Sequence, residues 1–521
     1  MSSDAAGLET PAALLPKRNL LSREHLPTAL LLAYLLLLIG YAHLGAEGLY
    51  ERDGYFHARY AAMFFERGLA REFPWTQAST WKDEFCDKEF LYHALMAPWV
   101  LGQSEPIRGA QCFQILLGFG VCLAFAALLR AHHAPWPAFF LALLAATGGQ
   151  FLLRIVMIRS HVLSVILVLV GLHLLIGRRR WALAILGFVY AWSYTFPLVL
   201  VMLAVPFSLG QWLGTRKLDW KSPAAAACGV ALGTLVHPYS PYTLEMFLTI
   251  LDILKSGFAG REAAVLEVGE EFQSYSIGTF FLAYPLLLPM GLCLGAAAWR
   301  LWKHLAPETL GVTVAALAWI ALTLVFSRFA EYGVPLAVFA LALVVRDRQR
   351  MPDQAPFFPG WRRRTCLWLG VAGLHGFAAW FALSQIAHAE PPRFQGAAAW
   401  MEKNLAPGET VVNLWWDDFP DLFYSGFRQH YVWGIDPTFT LRHDQRHGEE
   451  KARLLEEMRN GRQTLDGAKL AQVFQSRYMI MRLRVARLYL DTIRGVTPVY
   501  LDKQALIVAL AEAEGATGPA P

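Results

Sequence analysis

The sequence predicts a mainly α-helical protein: a polytopic transmembrane bundle of about 11 spans with a small C-terminal extracytoplasmic α/β domain. Three observations predict it. Of 521 residues, 55% are hydrophobic and only 17% charged, where soluble proteins carry about 25% charge. Apolar runs long enough to cross a bilayer recur between residues 26 and 387. Basic residues gather in every second loop between those runs, as they do in cytoplasmic loops.

Taking roughly 20 apolar residues per span, the approximate span cores are 26–45, 107–130, 135–149, 156–176, 181–195, 196–213, 223–237, 278–301, 308–326, 331–346 and 365–387. Lys17, Arg18 and Arg23 precede the first, and Arg130 follows the second. Arg178, Arg179 and Arg180 follow the fourth, and Arg216, Lys217 and Lys221 the sixth. Arg300 and Lys303 follow the eighth, and Arg346, Arg348, Arg350 and Arg362–Arg364 the tenth. The alternation fits an odd number of spans and a cytoplasmic N-terminus. The first run is long enough to span and has no small-residue cleavage site, so it is expected to be a retained anchor.

A net charge of +5 is small for this length. No dense basic run with interleaved aromatics exists, so nucleic acid is not an expected partner. The six cysteines (86, 112, 122, 228, 293 and 366) are scattered, without a CxxC or Cys/His cluster; they predict neither a disulfide framework nor a zinc site. No N-x-[ST] site occurs, which favours a bacterial inner (plasma) membrane over the endoplasmic reticulum.

This topology divides the chain into a membrane domain, 1–388, and a soluble extracytoplasmic domain, 389–521. The outer face receives the first outer loop, 46–106, the turn near Gly148–Gln150, residues 238–277 and the C-terminal domain. In that domain "FQGAAAWMEKNL" reads as a helix and "PGETVVNLWW" as a turn and strand. "HGEEKARLLEEMRNGRQTLDGAKLAQVF" reads as helices, "RYMIMRL" and "QALIVAL" as strands, and the last residues as a disordered tail.

Five outer-face stretches carry chemistry. If "RDGYFHARYAAMFF" is helical, Asp53 and His57 share a face four residues apart. It then presents a carboxylate and an imidazole, or is simply a solvated helix with aromatic interface anchors. "FPWTQASTWKDEFCDKEFLYH" carries Asp83, Glu84, Asp87 and Glu89, which can bind a divalent cation or activate a nucleophile, or form an ordinary loop. "FLLRIVMIRSHVLSV" places Arg154, Arg159 and His161 at the outer end of the fourth span, with Arg154 and His161 on one helix face. Charge at that depth is costly and marks function, unless the arginines snorkel. "VGEEFQSYS" adds Glu270 and Glu271. "SRFAEYGVP" adds Arg328 and Glu331, able to pair with each other at i,i+3 or to leave the arginine free for a phosphate. Acids and arginines converging on one membrane face suit a lipid-phosphate substrate.

These stretches resemble the GT-C membrane glycosyltransferases, and among them the catalytic subunits of oligosaccharyltransferases. "RDGYFHAR" resembles that family's Asp-Pro-Tyr-Phe-Asn-x-Arg segment: Asp53, Tyr55, Phe56 and Arg59 match in register, while Gly54 and His57 differ. The resemblance gives Asp53 the family's role of binding a metal and activating the acceptor. "RFAEYGVP" resembles Arg-Phe-x-x-Tyr-x-x-Pro, whose arginine contacts the donor phosphate, which points to Arg328. "VGEEFQS" resembles the segment holding a catalytic Glu, mapping to Glu271 with Gln273. "WWDDF" resembles the acceptor-reading Trp-Trp-Asp-Tyr-Gly, with Trp415, Trp416 and Asp417 in place but not the last two residues.

The sequence also departs from the family. An Asp-x-Glu motif belongs at the outer end of the fourth span, and Arg159-Ser160-His161 stands there. The family's cation, Mg2+ or Mn2+, then either gives way to the Arg159 charge or draws on Asp87 and Glu89 beside Asp53 and Glu271. The resulting expectation is a glycosyltransferase moving a sugar or glycan from a polyprenyl-(pyro)phosphate to a protein, lipid or glycan acceptor at the outer face. Asp53, Glu271 and His57 are its candidate catalytic groups. Arg328, Arg159 and Arg154 would hold the donor phosphate, and Trp415, Trp416 and Asp417 the acceptor. Two rivals remain: a metal-independent enzyme of the same superfamily acting on a lipid or glycan, and a non-catalytic transporter or assembly protein. A transporter is expected to show repeat symmetry, and none is visible.

Overall fold

The computed structural model describes residues 25–248, 251, 275–351, 360–413, 415–435, 465–489 and 493–510. The expected apolar stretches fall on helices. Helix α1 (Leu26–Leu44) is followed by the first outer loop, which holds α2 (Asp53–Arg67) and α3 (Phe90–Val100). Then come α4 (Pro106–Ala131), α5 (Pro137–Ala146), α6 (Gly149–Val156), α7 (His161–Ile176), α8 (Arg180–Ser193), α9 (Val199–Thr215) and α10 (Lys221–Leu235). Further along the chain follow α11 (Ile277–Ala283), α12 (Leu287–Leu301), α13 (Pro307–Val325), α14 (Ala330–Gln349) and α15 (Trp361–Ile386).

Five described helices are long and apolar enough to cross a membrane, and seven spans result if each of two bent pairs counts as one. The bent pairs are α5 with α6, at 91°, and α11 with α12, at 89°. Helices α7 and α9 are apolar but shorter.

The break between α6 and α7 corrects an expectation. Arg154 and His161 do not lie on one continuous helix, because α6 stops at Val156 and Met157 is extended, with ψ at 137°. Arg159 therefore sits in a break between helices, and α7 begins afresh at His161. Glycine permits the approach at the other end of α6. A Cβ on Gly148 would lie 2.0 Å from the Ala283 carbonyl oxygen at the end of α11. A similar approach joins α8 to α10, where a Cβ on Gly229 would meet the Ala184 carbonyl oxygen at 2.0 Å. Small residues let helix backbones come this close, and in a bilayer such packing replaces the hydrophobic drive.

The C-terminal part contains α16 (Gln395–Asn404), β1 (Thr410–Asn413), α17 (Phe419–Ser425), β2 (His430–Tyr431), β3 (Leu465–Asp466), α18 (Gly467–Phe474), β4 (Tyr478–Arg482), α19 (Leu483–Tyr489), β5 (Ile493–Arg494), β6 (Val496–Leu501) and β7 (Ala505–Leu510). A five-stranded mixed sheet runs β2-β1-β4-β7-β6. Strand β1 is parallel to both neighbours, with Val412 opposite Met479, and β4, β7 and β6 are antiparallel. Much of the expected helical stretch 447–474 and all of the tail lie outside the described residues.

The first outer loop docks on this sheet. Thr76 makes a parallel bridge with Tyr431. Tyr431 N donates to Trp75 O at 2.9 Å, and Gln77 N to Tyr431 O at 2.8 Å. The loop thus covers the β2 edge, whose backbone groups would otherwise be open to pairing. Beneath it Phe56, Phe73, Phe85, Phe419 and Phe423 form one buried aromatic cluster shared by loop and sheet layer. The aromatic residues of α2 that read as interface anchors are in part this core: Phe56 stacks on Tyr60 and packs on Phe423.

Gly148→Leu is expected to push α6 off α11 and cost about 1–3 kcal/mol, the range for overpacking. The apparent Tm of the detergent-solubilised protein measures it; an unchanged Tm contradicts the close approach.

Candidate active site

The site begins where the chain leaves α1. Glu51 accepts hydrogen bonds from the backbone N–H groups of Asp53 and Gly54, both at 3.0 Å. It thereby satisfies donors that a helix N-terminus leaves open, and its charge suits the positive end of α2. Asp53, the first residue of α2, pairs with the Arg159 guanidinium. Arg159 also donates through Nε to Glu51, at 3.0 Å. One guanidinium from the α6–α7 break thus holds two carboxylates from the first outer loop. Burial pushes the Glu51 carboxyl up to about 7, against the pull of Arg159, and the neighbouring Asp53 charge adds to the rise.

Three arginines surround the next group. The charges of Arg154, Arg328 and Arg159 all act on the buried His161 ring. His161 Nε2 donates to the Arg154 carbonyl oxygen at 2.7 Å, so Nδ1 carries the lone pair. Arg154 is itself buried and pairs with Glu331 across the α6–α14 contact. Glu331, considered from sequence as a local i,i+3 partner of Arg328, pairs with Arg154. Arg328 is half-buried and lies over the Tyr194 ring at 5.7 Å.

His57 turns away from Asp53 into the protein. Its Nδ1 lies 2.8 Å from His93 Nε2 and 3.7 Å from Glu89 Oε2. His93 donates through Nδ1 to Asp87, at 2.9 Å. Thr195 donates to Glu89 Oε1, also at 2.9 Å. Burial holds the His57 ring neutral, with its pKa down at about 3. Asp87 and Glu89 therefore belong to this histidine group among the described residues, whereas Asp53 faces Arg159. Glu270, Glu271 and Gln273 lie outside the described residues.

Trp415, Trp416 and Asp417 stand half-buried at the end of β1. Asp417 pairs with Arg482, which also pairs with the adjacent Asp418, 1% exposed. Arg393 stands 3.9 Å from Asp418 as well. Arg52, next to Asp53, reaches Asp421 of α17 at 3.2 Å and Glu390 at 3.3 Å, so the outer loop and the C-terminal part share their charges.

Sequence reasoning gave Glu51 no role and missed His93 and the Arg52–Asp421 pair. His93 was legible: it follows Glu89 by four residues, one turn, at the start of a helix. Arg52–Asp421 spans most of the chain, and no local pattern announces it.

Among the described residues, those around Asp53 do not fit the cation that the resemblance implies. Its carboxylate and that of Glu51 are engaged by Arg159, and a dication beside His161 would face three guanidinium charges. Like charges at such range repel strongly in a partly buried site.

Comparison with solved structures finds the same architecture. The apo oligosaccharyltransferase of Archaeoglobus fulgidus matches with a TM-score of 0.61 at 14% identity, over 89% of this chain and 70% of that one. The archaeal oligosaccharyltransferase AglB from A. fulgidus, in complex with an inhibitory peptide and a dolichol-phosphate, matches at 0.59 and 14% identity, over 93% and 74%. ArnT from Cupriavidus metallidurans, bound to undecaprenyl phosphate, matches at 0.52 and 14% identity, over 94% of this chain and 99% of that one. No protein-family model and no curated protein matches the sequence. The fold is GT-C-like, that of a class of membrane glycosyltransferases.

Arg482→Ala strips Asp418 of its nearer cation. With Arg393 remaining, a loss of about 3 kcal/mol is expected, the low end for breaking a buried pair. Thermal unfolding of the variant measures it; a loss indistinguishable from zero contradicts the pairing.

Proposed function

We propose that the chain is a GT-C glycosyltransferase that moves a sugar or glycan from a polyprenyl-(pyro)phosphate donor to an acceptor at the outer membrane face. The observation that carries this reading is the meeting of Asp53 and Glu51 with Arg159, beside Arg328 and His161, within a GT-C-like fold. Two of the similar proteins, AglB and ArnT, are bound to dolichol-phosphate and undecaprenyl phosphate respectively, which supports a lipid phosphate as the donor class.

In the proposed step an acceptor O–H or N–H gives its proton to Asp53. The acceptor atom attacks the anomeric carbon from the face opposite the leaving group. The anomeric C–O bond breaks, and its electron pair goes to the lipid phosphate, with inversion at the sugar. Arg328 and Arg159 neutralise that phosphate. The leaving group is already a good one, so positioning and charge neutralisation supply most of the acceleration. Arg154, neutralised by Glu331, acts by positioning the α6–α7 break. Glu271 keeps the assisting role that the resemblance gives it.

The Arg159 pairing favours the metal-independent form of the reaction over one using Mg2+ or Mn2+ at Asp53. Trp415 and Trp416 remain the proposed acceptor contacts. Asp417 is held by Arg482, which favours a lipid or glycan acceptor over a protein one. We keep about 11 spans, with a cytoplasmic N-terminus, an extracytoplasmic α/β domain over 389–521 and location in a bacterial inner membrane. The one-sided clustering of charge supports this over a transporter.

In cells lacking the protein, a polyprenyl-linked sugar is expected to build up in the extractable lipid fraction, read by mass spectrometry. Wild type clears it and Asp53→Ala does not. No build-up, or equal rescue by Asp53→Ala, sinks the reading. In membranes, Arg159→Ala is expected to slow consumption of that lipid about 10²–10³-fold, as loss of a charge-stabilising donor does. Added Mg2+ or Mn2+ leaves wild-type turnover unchanged. Turnover that rises with either cation and survives loss of Arg159 contradicts the metal-free form.

A further inference from the structure

We propose that His57, Glu89 and His93 form a buried site for one transition-metal ion of the Zn2+ class, which clamps the helix carrying Asp53 to the helix that follows it in the outer loop. The three residues can each offer one ligand atom, and those atoms all lie within 4.8 Å of one another. All three side chains are buried: His57 is 7%, Glu89 7% and His93 2% exposed. A buried group of two imidazoles and a carboxylate does not arise from surface patterning, where charged side chains stay in water.

The donor set selects the metal. Two imidazole nitrogens and one carboxylate oxygen suit Zn2+ and its neighbours, whereas Mg2+ and Mn2+ prefer oxygen. The cation expected at Asp53 is thus of a different class and in a different place. The supporting contacts are those that metal-binding histidines and carboxylates generally have. His93 gives its Nδ1–H to Asp87, with both carboxylate oxygens near, at 2.9 and 3.0 Å. That fixes the lone pair on Nε2, the atom facing His57. Thr195 holds Glu89 Oε1 at 2.9 Å and leaves Oε2 toward His57.

The geometry needs a small change. His57 Nδ1 and His93 Nε2 stand 2.8 Å apart, as a hydrogen-bonded pair. Two nitrogens on one tetrahedral Zn2+, each at about 2.0–2.1 Å, lie about 3.3 Å apart. The rings must part by about half an ångström, and the His57 proton moves to its other nitrogen. Three protein ligands leave the fourth tetrahedral position for water.

The consequence is mechanical. His57 is one helical turn beyond Asp53 on α2, and His93 lies in the first turn of α3 with Glu89 just before it. An ion joining them fixes the rotation of α2, and with it the direction in which Asp53 meets Arg159. This inference does not depend on the transferase reading, and its test reads metal content, not turnover.

The full-length protein, purified in detergent with an affinity tag free of histidine, is dialysed against micromolar Zn2+ and then against metal-free buffer. Its metal content is measured by mass spectrometry and its Zn2+ coordination by X-ray absorption. We expect one Zn2+ per chain, in a shell of nitrogen and oxygen at about 2.0–2.1 Å. His93→Gln and Glu89→Gln lose the ion. Asp87→Asn weakens it about 10–100-fold, as loss of a supporting carboxylate does. Asp53→Asn keeps it. A wild-type chain that retains no Zn2+ overturns the proposal without recourse to any variant. So does Zn2+ that persists in folded His93→Gln, or that leaves with Asp53→Asn.

Discussion

Two carboxylates, Glu51 and Asp53, share one guanidinium, that of Arg159. The geometry around the start of α2 depends on this arrangement. Acids two residues apart at a helix start would repel each other if only water screened them. Arg159 relieves the repulsion and ties the start of α2 to the break between α6 and α7. The break is needed for this: a continuous helix from 149 to 176 would carry residue 159 on a helical face, whereas here Arg159 lies in the unwound turn. The bend at Gly148 and the ion pair of Arg154 with Glu331 hold the broken segment in place.

A second constraint is the docking of the outer loop on the C-terminal sheet. The loop supplies backbone pairing to the β2 edge and aromatic side chains to a core shared with α17. Arg52, immediately before Asp53, ends on Asp421, fully buried beneath it. The position of Asp53 is therefore set from two directions, by the membrane helices through Arg159 and by the sheet layer through Arg52.

The fold was legible in the sequence to the extent that hydrophobic runs and loop charge report it. Apolar stretches gave the helices near their true limits, as with α4 and α13, because a bilayer admits little else. The strands β1, β4 and β7 were readable as short apolar runs rich in β-branched residues or methionine between turn residues. The bends were not readable. Gly148 and Gly149 look like a turn, but the unwinding at 157–160 follows from what surrounds it: Arg159 facing two acids and α11 pressing on Gly148.

For the site, sequence by itself determined which residues stand out from local pattern: Asp53, Arg159, Arg328 and His57 could all be named. Tertiary structure alone decided how they combine. His57 and Asp53 lie one turn apart on one helix, yet one meets His93 and Glu89 in the interior and the other meets Arg159. Arg154 lies in α6 and Glu331 in α14, yet the two pair. The physical reason is range. Hydropathy and helix periodicity act over one or two turns and are written in consecutive residues. The partner of a buried charge is chosen by packing across the whole chain, where 106 residues separate Asp53 from Arg159 and 369 separate Arg52 from Asp421.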